Sequence, residues 1–291
     1  MVAFSTIPRI SLRKIIVATD FTTTSKAALD CAIAVATHYG SKIILVHAIE
    51  GVPQSHTQPS TGHHGVHGLT DAEWNLRLEV AKCADLDCEW HLLRGTVPDV
   101  VDQFLAINHV DLIVVGAHER HGFRKAAAEN IFRRVHCPVL AVGPSVRWKE
   151  GAWNPRRMLL ATDLQSDERN TMTYATALAL DHNARLALLH ITPPTLSAYP
   201  TDSELMIRPY YESRLQQLAH DWPSGSTRPE VWVEFQSDAV TGIVDAATRK
   251  EADLLILSVH PNAPLTLHLG HSAYRIVSKV PCPTLIVQRT L

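Results

Sequence analysis

The sequence predicts two α/β domains in tandem, each an open, twisted, five-stranded parallel sheet with helices on both faces. Three observations lead there. The 291 residues suit two domains of ordinary size rather than one large one. Phrases of the first half return in the second. Each half also alternates short, continuous apolar runs with helically spaced ones, as expected of strands buried on both faces between crossover helices.

The repetition is ordered. Ile16-Val17-Ala18-Thr19-Asp20-Phe21 is answered 143 positions on by Leu159-Leu160-Ala161-Thr162-Asp163-Leu164, and Ile44-Leu45-Val46-His47-Ala48 at the same offset by Ala187-Leu188-Leu189-His190-Ile191. Asp111-Leu112-Ile113-Val114-Val115 is answered at 142 by Asp253-Leu254-Leu255-Ile256-Leu257, and Cys137-Pro138-Val139-Leu140 at 145 by Cys282-Pro283-Thr284-Leu285. Near-constant offsets mark a duplicated domain. The join near Pro144 to Pro155, which holds Trp148, Gly151 and Trp153, separates domains 10–146 and 155–291.

Within the first half, the β-branched run 14–20 precedes Thr22, Thr23 and Thr24, each a capping residue type. Ala27, Ala28, Cys31, Ala32 and Val35 follow at helical spacing, with Gly40 as a stop. A second run, 43–49, leads into a long Gly/Ser/His loop, and the capping-box pair Thr70 and Glu73 predicts a helix to about Ala84. Strands near 88–94, 111–116 and 138–143 are separated by helices beginning near Pro98 and near Arg124. In the second half the strands fall near 157–163, 185–191, 230–236, 253–258 and 283–288.

Composition narrows the function. Lys plus Arg number 27 against 29 Asp plus Glu, a net charge of −2, so no basic field draws the chain to nucleic acid or an anionic membrane. No apolar run approaches a membrane span, and Met1 to Arg13 lacks the apolar stretch of a signal peptide. Five cysteines, Cys31, Cys83, Cys88, Cys137 and Cys282, are an odd and thinly spread set that fits a reducing compartment. A cytoplasmic protein is expected.

Ligands of open parallel sheets bind beyond the carboxyl ends of the strands. In the first half those ends are Ala18, Thr19 and Asp20, then Val46 to Ile49, then Gly116 to Gly122. A carboxylate there accepts from a ribose hydroxyl or an adenine amine, and glycines before a helix let backbone amides meet phosphate. The plainer alternative is that Asp20 caps the next helix and Gly116 turns the chain.

Taken together, Val17-Ala18-Thr19-Asp20, Leu45-Val46-His47, Gly95, the run Asp111 to His118 and Cys137-Pro138-Val139-Leu140 resemble a universal stress protein domain, and the second half resembles it more faintly. The resemblance implies strand order 3-2-1-4-5, the adenine nucleotide alpha hydrolase-like fold, and a stress-response role in nucleotide sensing or as an adaptor. It implies ATP or another adenine nucleotide as ligand, with Mg2+ accompanying ATP. The implied contacts in the first domain are Ala18, Thr19, Asp20, Val46, Val115, Gly116, His118, Gly122 and Arg124. In the second they are Asp163, Gly270 and Ser272. It further implies that the two domains pair within the chain, through strands 138–143 and 283–288, and that chains associate as a homodimer and act on a protein partner.

ATP-binding members carry a G-x2-G-x9-G-[S/T] loop after strand four, and both halves depart from it. Glu119 stands at the second glycine, and either Glu129 and Asn130 stand at the terminal pair or, with Cys137 only 21 positions after Gly116, the loop is trimmed and has no such pair; a carboxylate facing phosphate repels it. In the second half Ser258 and Pro261 replace the first two glycines and Gly270-His271-Ser272 remains of the last pair. Against this, Arg120, Arg124, Lys125, Arg133 and Arg134 supply side-chain charge for an anion, or simply a solvated helix face. The expectation is that the first domain retains nucleotide affinity and the second has mostly lost it. The rival readings are a protein-interaction module without nucleotide and a weak ATP-hydrolysing enzyme.

Other clusters carry less. His56, His63, His64 and His67 lie in a loop of Gly, Ser, Thr and Pro that offers no fixed metal geometry, so no metal is expected. Cys83 and Cys88 are spaced unlike a redox Cys-x-x-Cys and read as core thiols. Dinucleotide, Walker, Ser-Gly-Gly and nucleophile-elbow motifs are absent, so no catalytic residue is assigned and slow ATP hydrolysis is the most that is expected.

Overall fold

The computed structural model describes residues 10–49, 70–117, 130–132, 134–147, 151–164, 168–194, 200–259 and 269–288. The chain divides into two compact units, Ser11–Trp153 and Asn154–Leu291. The first contains β1 (Lys14–Ala18), α1 (Thr23–Tyr39), β2 (Lys42–Ile49), α2 (Thr70–Ala81), β3 (Cys88–Arg94), α3 (Val97–Ile107), β4 (Leu112–Gly116) and β5 (Val139–Val142). Its strands lie in the order β3-β2-β1-β4-β5, every neighbour parallel.

The second unit contains β6 (Arg157–Ala161), α4 (Arg169–Asp181), β7 (Arg185–Thr192), α5 (Pro200–Leu218), β8 (Glu230–Phe235), α6 (Ala239–Arg249), β9 (Leu254–Val259), α7 (Leu269–Val277) and β10 (Thr284–Gln288). Its order is β10-β9-β6-β7-β8, again all parallel. This is the expected 3-2-1-4-5 arrangement twice over. Central strands such as β4 and β9 bury nearly every residue, which is why they read as unbroken apolar runs.

Caps fix the helix ends. Thr22 is the N-cap of α1, its side chain accepting from the Ser25 N–H, and Gly40 at φ 67° closes the helix with its N–H on the Ala36 carbonyl. Thr96 caps α3, with Pro98 in the first turn. α2 starts with Thr70 already helical and stops at Ala81 rather than Ala84. There the Cys83 N–H turns onto the Val80 carbonyl and the Leu86 N–H onto that of Cys83. The helix predicted near Arg124 begins outside the described residues; residues 130–132 are helical.

The repeated Asp-Leu phrase has a structural cause. Asp111 Oδ2 accepts the N–H groups of Arg13 and Lys14 at 2.8 and 2.9 Å, and Asp253 Oδ2 accepts those of Arg156 and Arg157, both at 2.9 Å. Each carboxylate ties the start of one central strand to the start of its neighbour. All five cysteines are free thiols; burial pushes those of Cys137 and Cys282 up to about 12, where thiolate chemistry is suppressed. No described helix is long and apolar enough to cross a membrane.

Candidate functional site

At the carboxyl end of the first sheet, Ala18 closes β1 in register with Val46 of β2 and Val115 of β4. The Thr19 N–H donates to the Val46 carbonyl at 3.0 Å. Thr19 is 4% exposed, and its Oγ1 accepts the Phe21 N–H at 3.1 Å. That bond holds Phe21 at φ 63°, a left-handed conformation that a bulky residue seldom adopts. The second half repeats the turn: the Leu164 N–H donates to Thr162 Oγ1 at 3.0 Å and Leu164 sits at φ 57°.

This turn aims the next residues. Asp20 Oδ1 accepts both the N–H of Thr22 at 3.2 Å and its hydroxyl at 2.5 Å. A half-exposed carboxylate is thereby fixed at the strand end, beside the N-terminus of α1. His47 Nδ1 donates to the Thr19 carbonyl at 2.8 Å, and the Phe21 ring lies on the imidazole at 4.4 Å. His190 Nδ1 donates likewise to the Thr162 carbonyl at 3.0 Å. Its ring is covered by Tyr211 of α5 at 4.5 Å, and burial pushes its pKa down, keeping it neutral.

Each corner also buries a carboxyl group, but from a different element. In the first unit Glu79 of α2 is 4% exposed, and Thr19 Oγ1 lies 3.3 Å from both Glu79 Oε1 and Ser25 Oγ. Burial pushes the Glu79 carboxyl up, outweighing the Thr19 hydrogen bond and the charges of Lys82 and Lys26. In the second unit the position of Ser25 is taken by Glu168, 143 residues on. Glu168 stands just before α4, and instead of capping that helix its Oε1 accepts the hydroxyls of Thr162 at 2.8 Å and Ser258 at 3.0 Å.

A raised carboxyl pKa has a definite sign. The folded first domain favours protonated Glu79 more than the unfolded chain does. Its contribution is therefore full below the ordinary value of 4.5 and is lost as pH rises through the raised one. Glu79→Gln is expected to flatten the fall in first-domain stability as pH rises above 4.5, as urea denaturation across a pH series would show. A parallel loss in wild type and variant would contradict it.

Gly116 is required by close packing. A Cβ there would lie 2.7 Å from both the Thr24 carbonyl carbon and the Ser25 nitrogen, so the backbone of α1 occupies the space a side chain would need. Its counterpart Ser258 instead points its hydroxyl at Glu168.

Ala18, Thr19, Asp20, Val46, Val115 and Gly116 thus converge on one corner. Asp163, half-exposed, holds the matching corner of the second unit. Gly270 and Ser272 fall in α7, with Ser272 half-buried. His118, Gly122 and Arg124, and the histidines of the 56–67 loop, lie outside the described residues. Sequence reasoning passed over Ser25, Glu79, Glu168 and His190, and took in His47 only as part of the strand end Val46 to Ile49. The two histidines were signalled by their place in the repeat; Glu79 and Glu168 gave no signal, because their contacts cross between elements.

A family model described as the universal stress protein family matches residues 11–143 and 154–288. A universal stress protein of Thermus aquaticus is 25% identical over 143 residues, covering 46% of this chain and 98% of its own. Among solved structures, a universal stress protein of Archaeoglobus fulgidus aligns over 97% of this chain and 98% of its own, with a TM-score of 0.64 at 15% identity. Another universal stress protein, solved in complex with cAMP, covers 46% of this chain and 98% of its own at 20% identity and a TM-score of 0.34.

Proposed function

This chain belongs to the universal stress protein family, with two of the family's domains in tandem, and from that premise we propose that the first domain binds an adenine nucleotide while the second has given up the same site. The observation behind this division is the exchange of Ser25 for Glu168. Ser25 is neutral and lies beside the N-terminus of α1, where the helix dipole favours an anion. Glu168 puts a buried carboxyl group at the equivalent place, and a phosphate brought there meets it in a low dielectric. Glu79, the carboxyl of the first corner, is held toward its neutral form.

The rest of the second corner supports the same reading. Arg214 commits one guanidinium nitrogen to the Leu164 carbonyl at 3.0 Å, so it is drawn into the corner rather than left for an anion. In the first domain the adenosine end of a nucleotide would meet Ala18, Asp20 and Val46, with Asp20 accepting from a hydroxyl or amine. We read the unit as a sensor that acts through conformation and a protein partner, with turnover of ATP slow at most.

Calorimetric titration of the full chain with Mg·ATP, and with cAMP as a second probe, tests this. One equivalent is expected, weakened at least tenfold by Asp20→Ala and unchanged by Asp163→Ala. Two equivalents, or a loss on Asp163→Ala alone, would overturn the division. No binding of either probe would leave the interaction module as the reading.

A further inference from the structure

We propose a second ligand site at the opposite end of the second domain's sheet, a cleft that takes a small organic monoanion with a flat apolar body, such as an aromatic carboxylate. The cleft has a volume of about 230 Å³ and opens where β6, β7 and β8 begin, at Arg157, Arg185 and Glu230. Leu159, Ala187 and Ala252 form its apolar floor and Trp232 its wall.

The duplicated half shows why the cleft exists. At the positions of Ala187 and Ala252 the first domain has Ile44 and Val110, both buried. Opposite Ala246 of the second domain it has Phe104, whose ring packs edge-on against His91 at 4.9 Å. Register places Trp232 at the position of His91. Two larger side chains have become alanine at the lining of the cleft, so space filled in the first domain is open in the second. Its size lies below the ~300 Å³ of the smallest drug-sized pockets, enough for a ligand of about one ring.

Charge gives the ligand its sign. In the first domain Lys42, the counterpart of Arg185, is committed to Glu89 at 2.6 Å. In the second, Arg157 is committed to Glu251 at 2.6 Å and Asp253 at 3.4 Å, but Arg185 and Lys250 have no carboxylate partner among the described residues. Lys250 instead holds its ammonium 3.4 Å from the centre of the Trp232 ring, a cation–π contact that keeps the charge at the wall of the cleft. Three of the four charged side chains that line the cleft are cations, Arg157, Arg185 and Lys250, against Glu230, and Arg185 and Lys250 hold no carboxylate among the described residues, which favours an anionic ligand.

Benzoate, the uncharged isostere benzamide and inorganic phosphate serve as probes on the full chain, read by calorimetry. Benzoate is expected to bind saturably with one equivalent, benzamide at least tenfold more weakly, and phosphate not at all. Ala187→Ile, which restores the first domain's residue, should abolish benzoate binding without lowering the melting temperature, and Arg185→Gln should weaken it about tenfold. Should Ala187→Ile fold poorly, Ala252→Val fills the same floor and must have the same effect. Asp20→Ala must leave benzoate binding unchanged, which separates this site from the nucleotide site. Absence of saturable benzoate binding, binding that survives both filling variants, or phosphate binding as strong as that of benzoate would overturn the proposal.

Discussion

Gly116→Ala is expected to destabilise the first domain by about 3 kcal/mol, at the upper end of what overpacking a close-packed contact costs. The added Cβ would sit 2.7 Å from two backbone atoms of α1, in Thr24 and Ser25. Backbone cannot swing aside as a flexible side chain can, so either β4 or the first turn of the helix must shift. The cap contact between Thr22 and Ser25 and the Thr19 cluster would move with it. Urea denaturation should show a lowered midpoint for the first domain with the second unchanged. A phosphate-contact role alone makes a different forecast, lost nucleotide affinity at unchanged stability, and that outcome would refute the packing account.

The second domain has its own sensitive point at Glu168. Glu168→Ala is expected to cost about 3 kcal/mol there, because the hydroxyls of Thr162 and Ser258 lose a shared acceptor inside a low-dielectric corner. Glu168 Oε1 bridges the residue after β6, Thr162, and Ser258 of β9, so the loss loosens the strand pair at the centre of that sheet. Glu168→Gln, which keeps an acceptor oxygen, should recover about half. Equal destabilisation by Ala and Gln would mean that charge rather than hydrogen bonding holds the corner, and no destabilisation by either would contradict the structural role of Glu168.

Periodicity made most of the fold legible. Strands buried on both faces read as apolar runs, and the recurrence of Thr19-Asp20 as Thr162-Asp163 or of Cys137-Pro138 as Cys282-Pro283 marks two copies. Edges were less legible. Runs read as extending to Asp20 and Asp163 stop at Ala18 and Ala161, because a threonine hydroxyl captures the N–H two residues on and sends the chain left-handed. No local propensity predicts Phe21 or Leu164 at positive φ; the turn depends on that hydroxyl.

Half the site was legible for the same reason. Asp20 and Val46 are strand-end residues, and topology alone brings them together. Gly116 drew notice as a glycine beside a possible phosphate, yet its lack of a side chain is needed by Thr24 and Ser25, residues 92 and 91 positions earlier. Glu79 looked like an ordinary helix glutamate, and only its reach back to Thr19 distinguishes it. The significance of Ser25 emerges when its counterpart proves to be a buried glutamate.

The division of labour between the two domains is tested most directly by hydrogen exchange of the full chain with and without saturating Mg·ATP. Protection is predicted in peptides covering residues 18–25 and 46–49, where strand ends and the first turn of α1 meet the ligand, with peptides covering 161–170 and 189–192 unchanged. Protection confined to the second set, or equal in both, would contradict the account.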